Sequence, residues 1–354
     1  MVTVEQFLNI ANEMNASDVH LTAGISPMAR VDGELVKMNY PELQASDVEK
    51  IVLGIMNDTQ LKIFQKAGEM DFAFSIPNVG RYRVNAFHQR GCVACAIRVI
   101  KFQIPRPEDL GIPQSVIDLC RKKRGLVLVT GPTGSGKTTT LASLIGRINN
   151  EQNAHIITLE SPVEYLHSHG KSLVNQREVG IDTPSYSTAL CAALREDPDV
   201  ILVGEMKDPE TISEVITAAE TGHLVFATLH TMGAEASVDY MIEAFPPHQQ
   251  QQTRVRLGRA LEAVISQQLI PRMDKKGLVA AYEVMHANAQ IKNLVREAKT
   301  SQISTVIQTN KDAGMAMMDD ALIGLCRSGA ISPESAIDYA QDMTYVENEI
   351  AGCL

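Results

Sequence analysis

Residues 129–140, which read VTGPTGSGKTTT, combine glycines, a lysine and hydroxyl side chains in a spacing that can hold phosphate. They fit G-x-x-x-x-G-K-[ST], with Gly131 at the first position and Gly136, Lys137 and Thr138 at the last three. The glycines let the backbone turn its N–H groups toward an anion at a helix N-terminus. The lysine reaches the β- and γ-phosphates, and the threonine hydroxyl can bind Mg²⁺. The stretch therefore predicts a site for a nucleotide and Mg²⁺.

The predicted nucleotide contacts cover the loop and the first turn of the helix that follows it. They are Gly131, Thr133, Gly134, Ser135, Gly136, Lys137, Thr138 and Thr139. Lys137 is also a predicted catalytic residue, and Thr138 is the first predicted metal ligand. An ordinary glycine-rich turn is the alternative, and the apolar strand before the loop and the helical pattern after it argue against that alternative.

A second chemical feature is the stretch DVILVGEM at residues 199–206. Its apolar run predicts a buried strand that delivers Glu205 at its carboxyl end, where α/β sheets bind their ligands. A carboxylate there can hold the hydration shell of Mg²⁺ or orient an attacking water. We predict Glu205 as a catalytic residue and as the second metal ligand. A surface carboxylate is the alternative for such a residue taken alone.

A third acidic feature is HIITLESPVEYLH, in which Glu160 and Glu164 lie on either side of Pro162. The proline prevents the strand from continuing and directs the chain away from the sheet. We predict that Glu164 polarises the attacking water, with Glu160 as the alternative for this role. A solvent-exposed turn carboxylate is the remaining interpretation.

Two histidines flank the next apolar strand in TGHLVFATLHT. His223 and His230 are seven residues apart, so in an extended segment they lie at opposite ends and cannot share one metal ion. We predict that His223 and His230 sense the γ-phosphate or a neighbouring subunit. A structural role is the alternative for each of them.

The elements that must position these residues alternate along the chain. Short apolar strands are predicted at 126–130, 155–159, 200–204 and 224–229, with helical patterns between them, which is typical of a parallel α/β sheet. We predict that residues 114–354 form this domain and that the chain is helical from about residue 246. The proline-rich residues 105–113 are a predicted linker.

Residues 1–104 are predicted to form a smaller mixed domain. A helix is expected near the N-terminus and another at about 46–66, with a hairpin around Asp32-Gly33 and later strands near 71–75, 80–89 and 94–100. Alternation along the 80–89 strand places Arg81 and Arg83 on one of its faces.

Composition limits the classes of function. The 354 residues carry a net charge of −10 and no tryptophan, which argues against a protein that tracks nucleic acid. The chain shows no spanning apolar run and no signal-peptide pattern, so we predict a soluble cytoplasmic protein. Cys92 and Cys95 form a lone C-x-x-C in an apolar strand, and buried reduced thiols are the favoured interpretation over a metal or redox site.

Five stretches follow one another along the chain: GPTGSGKTTT, TLESPVEY, ALREDPDVILVGEM, TGHLVFATLHT and AQIKNLVREAK. Together with ASDVHLTAG at 16–24 and GRYRVNAFHQRG at 80–91, they resemble the type IV pilus retraction ATPases of the bacterial secretion-ATPase superfamily over essentially the whole chain. The resemblance implies an α/β protein with a PAS-like N-terminal α+β domain, a RecA-like P-loop ATPase domain and a helical C-terminal tail.

The resemblance also implies a function and partners. Members of this family form homohexameric rings that hydrolyse ATP with Mg²⁺, and the motion of the ring removes pilin subunits from the base of the fibre. The implied partner is the inner-membrane platform protein of the pilus machine, which would hold the ring at the cytoplasmic face of the membrane. No nucleic-acid partner is implied.

Several site residues correspond to family motifs. Lys137 and Thr138 match the Walker A residues, Glu205 the Walker B glutamate, and Glu164 the glutamate of the aspartate box. His223 and His230 match the histidine box. Arg81, Arg83 and Arg98 match arginines that in the family neutralise the phosphates of the nucleotide. The helix at 290–299, with Ile291, Leu294, Val295 and Ala298 on one face, matches a helix tied to retraction rather than to hydrolysis.

The chain departs from the family at two site positions. Ser161 stands where the aspartate box has an aspartate, so a hydroxyl replaces a charge and slower turnover or an altered metal requirement is expected. Lys207 replaces a common arginine and cannot make the same bidentate contacts.

The competing functions are an accessory retraction ATPase, an assembly ATPase, a RecA-like nucleic-acid motor and an inactive scaffold ring. Assembly ATPases usually carry an extra N-terminal domain and a four-cysteine zinc element.

Overall fold

The computed structural model describes residues 4–14, 16–31, 33–76, 80–100, 104–274 and 277–351. The chain divides into two compact units: Met1–Gln103 with Glu164–Leu166, and Ile104–Val163 with His167–Leu354. Each unit has its own sheet.

The first unit is a sheet with helices packed against it. Its elements are α1 (Val4–Glu13), β1 (Asp18–Leu21), β2 (Met28–Val31), β3 (Glu34–Lys37), α2 (Ala45–Gly54), α3 (Asp58–Ala67), β4 (Glu69–Ile76), β5 (Gly80–Gln89) and β6 (Cys92–Ile100). The strands lie in the order β3-β2-β1-β6-β5-β4, and every pair is antiparallel. Buried side chains of the helices, such as Phe7, Val52 and Phe64, share one core with Tyr82 and Val84 of β5.

Most sequence expectations for the first unit are confirmed. β2 and β3 form the expected hairpin with Val31 opposite Glu34, although Asp32 itself lies outside the described residues. The single helix expected at 46–66 is two helices, because Asn57 starts a new helix by accepting a hydrogen bond from the backbone N–H of Gln60. The thiol of Cys95 is buried in β6, and burial raises its pKa to about 12.

The second unit is a mostly parallel sheet covered by helices on both faces. Its strands are β7 (Gly125–Thr130), β8 (His155–Glu160), β9 (Leu173–Glu178), β10 (Val200–Val203), β11 (Leu224–Leu229), β12 (Leu261–Pro271) and β13 (Leu278–His286). Their order is β13-β12-β7-β11-β10-β8-β9, and the β12–β13 pair alone is antiparallel among these described strands. β7, β10 and β11 are buried along their whole length.

The helices of the second unit follow the strands in alternation and then dominate the C-terminal region. They are α4 (Gln114–Ile117), α5 (Lys137–Glu151), α6 (Tyr186–Ala193), α7 (Pro209–Glu220), α8 (Ala234–Glu243), α9 (Pro247–Ala260), α10 (Ala289–Arg296), α11 (Ile303–Thr309), α12 (Met318–Arg327), α13 (Pro333–Asp338) and α14 (Met343–Ile350). Short 3₁₀ turns occur at Asp118–Arg121, Thr300–Gln302 and Lys311–Ala313. No helix within the described ranges is long and apolar enough to cross a membrane.

The expectation of a helical chain from about residue 246 is wrong in one respect. β12 and β13 lie within this region, and β12 adds a strand beside β7. α9 passes into β12 at Leu261 without an intervening glycine or proline, so the usual signals of a boundary are missing. The helix expected at 290–299 also ends earlier, since Ala298 is exposed and has a positive φ of 57°.

The proline-rich segment before β7 contains neither helix nor strand between Ile104 and Pro113. It is nevertheless attached to α5: the Ser143 hydroxyl donates to the Pro105 carbonyl at 2.7 Å, and Arg147 contacts the Glu108 carboxylate at 2.7 Å. These contacts attach the segment to the second unit, and Pro107 and Ile112 within it are buried.

Candidate nucleotide site

The loop between β7 and α5 turns through three glycines in the left-handed region. Their φ angles are 138° at Gly131, 82° at Gly134 and 88° at Gly136. A side chain on Gly131 would collide with the Gln267 carbonyl, and one on Gly136 would lie 2.8 Å from the Gln267 amide nitrogen. Both the backbone conformation and the close approach therefore require glycine at these positions.

Lys137 begins α5 directly after the loop, and its side chain folds back over it. Its ammonium donates to the carbonyls of Gly131 at 2.7 Å and Pro132 at 2.9 Å, and only 9% of the residue is exposed. The backbone N–H groups at the start of α5 lack intrahelical partners and carry the positive end of the helix dipole. The loop thus concentrates positive charge where a phosphate would lie.

Two buried hydroxyl groups support this interpretation of the loop. Thr130 Oγ1, at the end of β7, and Ser135 Oγ, inside the loop, have no hydrogen-bond partner among the described residues. A buried hydroxyl without a partner is costly, and a bound phosphate or its water shell would satisfy it. Thr133 and Gly134 are exposed, and Thr138 and Thr139 are partly exposed, as residues that contact a ligand must be. The predicted loop residues therefore fit a phosphate group.

Glu205 and His230 follow two neighbouring strands, β10 and β11, at the same edge of the sheet as the loop. Glu205 lies two residues beyond β10, and β11 is the single strand between β10 and β7. Adjacent strands are about 4.8 Å apart, which places the start of the loop about 10 Å from the end of β10. The structure therefore brings Lys137, Thr138, Glu205 and His230 to one edge, as the sequence predicts.

Both carboxylate oxygens of Glu205 have partners. Oε1 lies 2.6 Å from His230 Nε2, and Oε2 accepts a hydrogen bond from Lys207 Nζ at 2.8 Å. Burial raises the pKa of this carboxyl. The hydrogen bonds and charges of Lys207 and His230 lower the pKa by a larger amount in total, so the net pKa is below the usual value. Glu205 is therefore held ionised and fixed in orientation.

Glu160, the last residue of β8, is buried rather than solvent-exposed. Its Oε1 accepts hydrogen bonds from the Thr158 hydroxyl at 2.6 Å and from the Gln176 amide at 3.2 Å. Glu164 is exposed, and it belongs to the first unit, whereas Lys137 and Glu205 belong to the second. Ser161 is exposed directly after Glu160.

His223 does not lie with the other site residues of this unit. It precedes β11, so six strand residues, or about 20 Å, separate it from His230. Its ring Nδ1 lies 2.9 Å from the Ala218 carbonyl, and its own carbonyl accepts the N–H of Gly125 at 3.0 Å. The prediction that the two histidines occupy opposite ends is confirmed, and His223 cannot contact the phosphates held by the loop of its own chain.

The three predicted arginines lie on one face of the first unit's sheet. Arg81 and Arg83 alternate with the buried Tyr82 and Val84, and Arg98 of β6 is directly opposite Arg83. Arg98 contacts Asp18 at 3.0 Å and remains 69% exposed. The face predicted from alternation is therefore confirmed, with Arg98 added to it.

Two residues that the sequence did not indicate support the site. Gln267 of β12 is buried, accepts a hydrogen bond from the Thr140 hydroxyl at 2.7 Å and lines the loop at two glycines. Tyr186, at the start of α6, places its hydroxyl 3.0 Å from where a side chain on Gly204 would begin. Burial, together with Glu205 and Glu160, raises the pKa of Tyr186, so its hydroxyl stays neutral beside the two carboxylates. No local pattern indicated Gln267, because its partner Thr140 lies on another element.

Comparison with known proteins supports this picture. The family model for type II/IV secretion system proteins matches residues 2–321. The chain is 47% identical to a twitching motility protein of Neisseria gonorrhoeae over 340 residues, covering 94% of this chain and 91% of the relative. It is 46% identical to the type IV pilus retraction ATPase PilT of Pseudomonas aeruginosa over 338 residues, covering 96% of this chain and 98% of the relative.

A solved structure agrees with these relatives. The crystal structure of the pilus retraction motor PilT with bound ADP superimposes with a TM-score of 0.92 at 44% identity, covering 98% of this chain and all of that one. Since both the sequence and the fold match over nearly the full length, the chain belongs to the type II/IV secretion system protein family and, within it, to the pilus retraction ATPases.

Proposed function

We propose that this chain is an ATP-hydrolysing motor that drives the retraction of type IV pili. The observation that carries the proposal is the phosphate loop beside a fixed Glu205, in a chain 46% identical to a pilus retraction ATPase over 96% of its length. An ATPase of this family needs both a phosphate site and a carboxylate that acts on water.

Nucleotide binding rests on residues 131–139. The N–H groups of the loop and of the first turn of α5 donate to phosphate oxygens. Lys137, whose ammonium faces the loop, donates to the β- and γ-phosphates in place of the Gly131 and Pro132 carbonyls. Thr138 and Glu205 are the proposed holders of Mg²⁺, which when bound neutralises charge on the phosphates.

Hydrolysis rests on the acidic residues at the edge of the sheet. Glu205 orients and polarises the attacking water, and His230 fixes the Glu205 carboxylate for this task. Glu164 is the proposed second carboxylate of the site, with Glu160 as the alternative, although the buried position of Glu160 and its two donors favour a supporting role. Ser161 supplies a hydroxyl where related proteins have a charge.

The first unit is proposed to be a PAS-like domain, residues 1–104, and the second a RecA-like ATPase domain, residues 114–354. Arg81, Arg83 and Arg98 are proposed to neutralise nucleotide phosphates, because three guanidinium groups share one exposed face. His223, which is distant from the loop of its own chain, is proposed to contact the nucleotide site of a neighbouring subunit.

The assembly proposed is a homohexameric ring located at the cytoplasmic face of the inner membrane. Its partner is the platform protein of the pilus machine, and its attachment to the membrane is peripheral and depends on that partner. We propose no nucleic-acid partner.

The test is complementation of cells that lack their own retraction ATPase, with the purified proteins assayed for ATPase activity in parallel. Wild type, Glu205→Ala and Glu210→Ala are compared, because Glu210 is an exposed carboxylate of α7 close in sequence to Glu205. We expect wild type and Glu210→Ala to restore twitching and hydrolyse ATP, and Glu205→Ala to lose both activities.

Two other outcomes would contradict parts of this proposal. Hydrolysis by the wild type without retraction would replace the motor proposal by an accessory role. Loss of neither activity in Glu205→Ala would show that Glu205 is not the catalytic carboxylate.

A further inference from the structure

A β-bulge in β12 positions an acidic side chain at the base of the nucleotide strand. The pairing of β12 with β7 shifts register between Leu261 and Ala263, so Glu262 is the extra residue. Bulges change the direction of a side chain and are a feature of functional strands. The stem of Glu262 crosses Gly125, the first residue of β7, where any side chain would collide with it.

The Glu262 carboxylate holds two lysines from different parts of the unit. Oε2 contacts Lys122 Nζ at 2.9 Å, and Oε1 contacts Lys292 Nζ at 2.9 Å. The Glu262 side chain is 20% exposed and that of Lys292 27% exposed, so this contact is mostly shielded from water, whereas the Lys122 side chain is 49% exposed. Shielded charge pairs are screened less than surface pairs.

The two lysines belong to elements with different tasks. Lys122 lies three residues before β7, which runs without interruption into the phosphate loop. Lys292 lies on α10, whose residues Ile291 and Val295 are buried in the core of the second unit. The two contacts therefore join α10 to the amino-terminal end of β7, the strand that carries the phosphate loop at its other end.

α10 presents charge on its outer face while its inner face is fixed. Arg296 is exposed, and Gly258 of α9 approaches α10 so closely that a side chain there would lie 3.1 Å from the Lys292 carbonyl. α10 is therefore held by apolar packing on one side and by the Glu262 bridge at its Lys292 position.

We infer that Glu262 is a positioning residue that couples nucleotide occupancy of the phosphate loop to the position of α10. It touches neither the loop nor a nucleotide, and it acts through Lys122 on one side and Lys292 on the other. The inference rests on the proposed nucleotide binding and adds the route by which binding reaches a surface helix.

The test measures amide hydrogen exchange with and without ADP in the full chain. In the wild type, ADP should slow exchange both in the loop and first turn of α5 and in α10, with the α10 effect about 5-fold or more, as is typical of coupled sites. In Glu262→Gln the loop should respond as in the wild type, and α10 should lose its response.

A matched control separates coupling from general stability. Glu220 pairs with Arg256 at 2.8 Å between α7 and α9 with similar burial, and this ion pair involves no side chain of β7 or α10. Glu220→Gln should keep the α10 response. The charge-inverted triple variant Lys122→Glu/Glu262→Lys/Lys292→Glu should restore it, because a lysine would again bridge two opposite charges.

The outcomes are distinguishable. If ADP protects the loop but never α10 in the wild type, or if Glu262→Gln keeps the α10 response, the coupling inference is wrong. If ADP fails to protect the loop in the wild type, the proposed nucleotide binding fails instead. Loss of the response in both Glu262→Gln and Glu220→Gln would mean that general loosening, not Glu262, is the cause.

Discussion

At the scale of single residues, the orientation of Glu205 is the central feature of the site. Its two oxygens are held by different side chains, a histidine after β11 and a lysine two residues on in its own loop. A carboxylate with a lowered pKa and both oxygens directed is pre-organised for charge stabilisation, at the expense of strength as a base.

We expect Glu205→Gln to reduce the turnover number of ATP hydrolysis by about 100- to 1000-fold, the usual loss when one directed group of a catalytic site is removed. The affinity for ADP in the absence of Mg²⁺ should change little, because the loop at 131–139 is untouched. Steady-state ATPase kinetics and ADP titration by calorimetry measure the two effects. Glu210→Gln serves as the matched variant, and equal kinetics for the two variants would contradict this role.

Ser161 gives a second prediction at this scale. Ser161→Asp should raise turnover, or lower the Mg²⁺ concentration needed for half-maximal rate, by up to about 5-fold, since an exposed charge pair contributes at most about 1 kcal/mol. The measurement is the ATPase rate over a Mg²⁺ titration. Ser161→Asn, which adds size without charge, is the control, and unchanged kinetics in Ser161→Asp would remove Ser161 as the cause of any difference.

At the scale of elements, β7, β10 and β11 could be predicted from the sequence and β12 could not. The nucleotide loop, β7, β10 and β11 follow from local patterns, because a buried parallel strand is a continuous apolar run and a phosphate loop has a fixed spacing. β12 interrupts its apolar run with Ser266 and Gln267, both buried. Their partners are on other elements, so sequence spacing carries no information about them.

Gln267→Leu tests what β12 contributes to the loop. The change leaves the Thr140 hydroxyl without its 2.7 Å acceptor and removes the amide that lies against Gly136. We expect the free energy of unfolding to fall by about 1–3 kcal/mol, the cost of an unsatisfied buried polar group, and nucleotide affinity to fall with it.

Denaturant unfolding and ADP titration measure these two quantities for Gln267→Leu, Thr140→Val and the double variant. Because the two side chains bond each other, the double variant should lose less than the sum of the single losses. Strict additivity would show that the Gln267–Thr140 contact does not support the loop.

At the scale of the whole molecule, stability should depend on a partly buried histidine. Burial lowers the pKa of His167 to about 4, and its Nδ1 has no hydrogen-bond partner within the described residues. The pKa of a histidine in the unfolded chain is about 6.5. Between about pH 6.5 and 4, the unfolded chain therefore binds a proton at this histidine and the folded chain does not. The free energy of unfolding therefore falls as the pH drops from about 6.5 to about 4.

We expect this single group to contribute about 2–3 kcal/mol of that fall, since one pKa unit corresponds to 1.36 kcal/mol. His167→Gln should flatten the pH dependence measured by denaturant unfolding between pH 7 and 4.5. His248→Gln, at an exposed histidine of α9, should leave it unchanged. A parallel slope in wild type and His167→Gln would contradict the assignment.

The two hydrogen bonds of Lys137 to its own loop have a consequence for selectivity. The ammonium donates to the Gly131 and Pro132 carbonyls, so these hydrogen bonds close the loop on itself. A ligand enters only by exchange: it must offer the lysine acceptors at least as good as the two it gives up. A chain of phosphates can offer acceptors to the lysine and fill the N–H groups of the loop at the same time, whereas a single phosphate has fewer oxygen atoms to share between them. The loop should therefore bind a polyphosphate in preference to free phosphate.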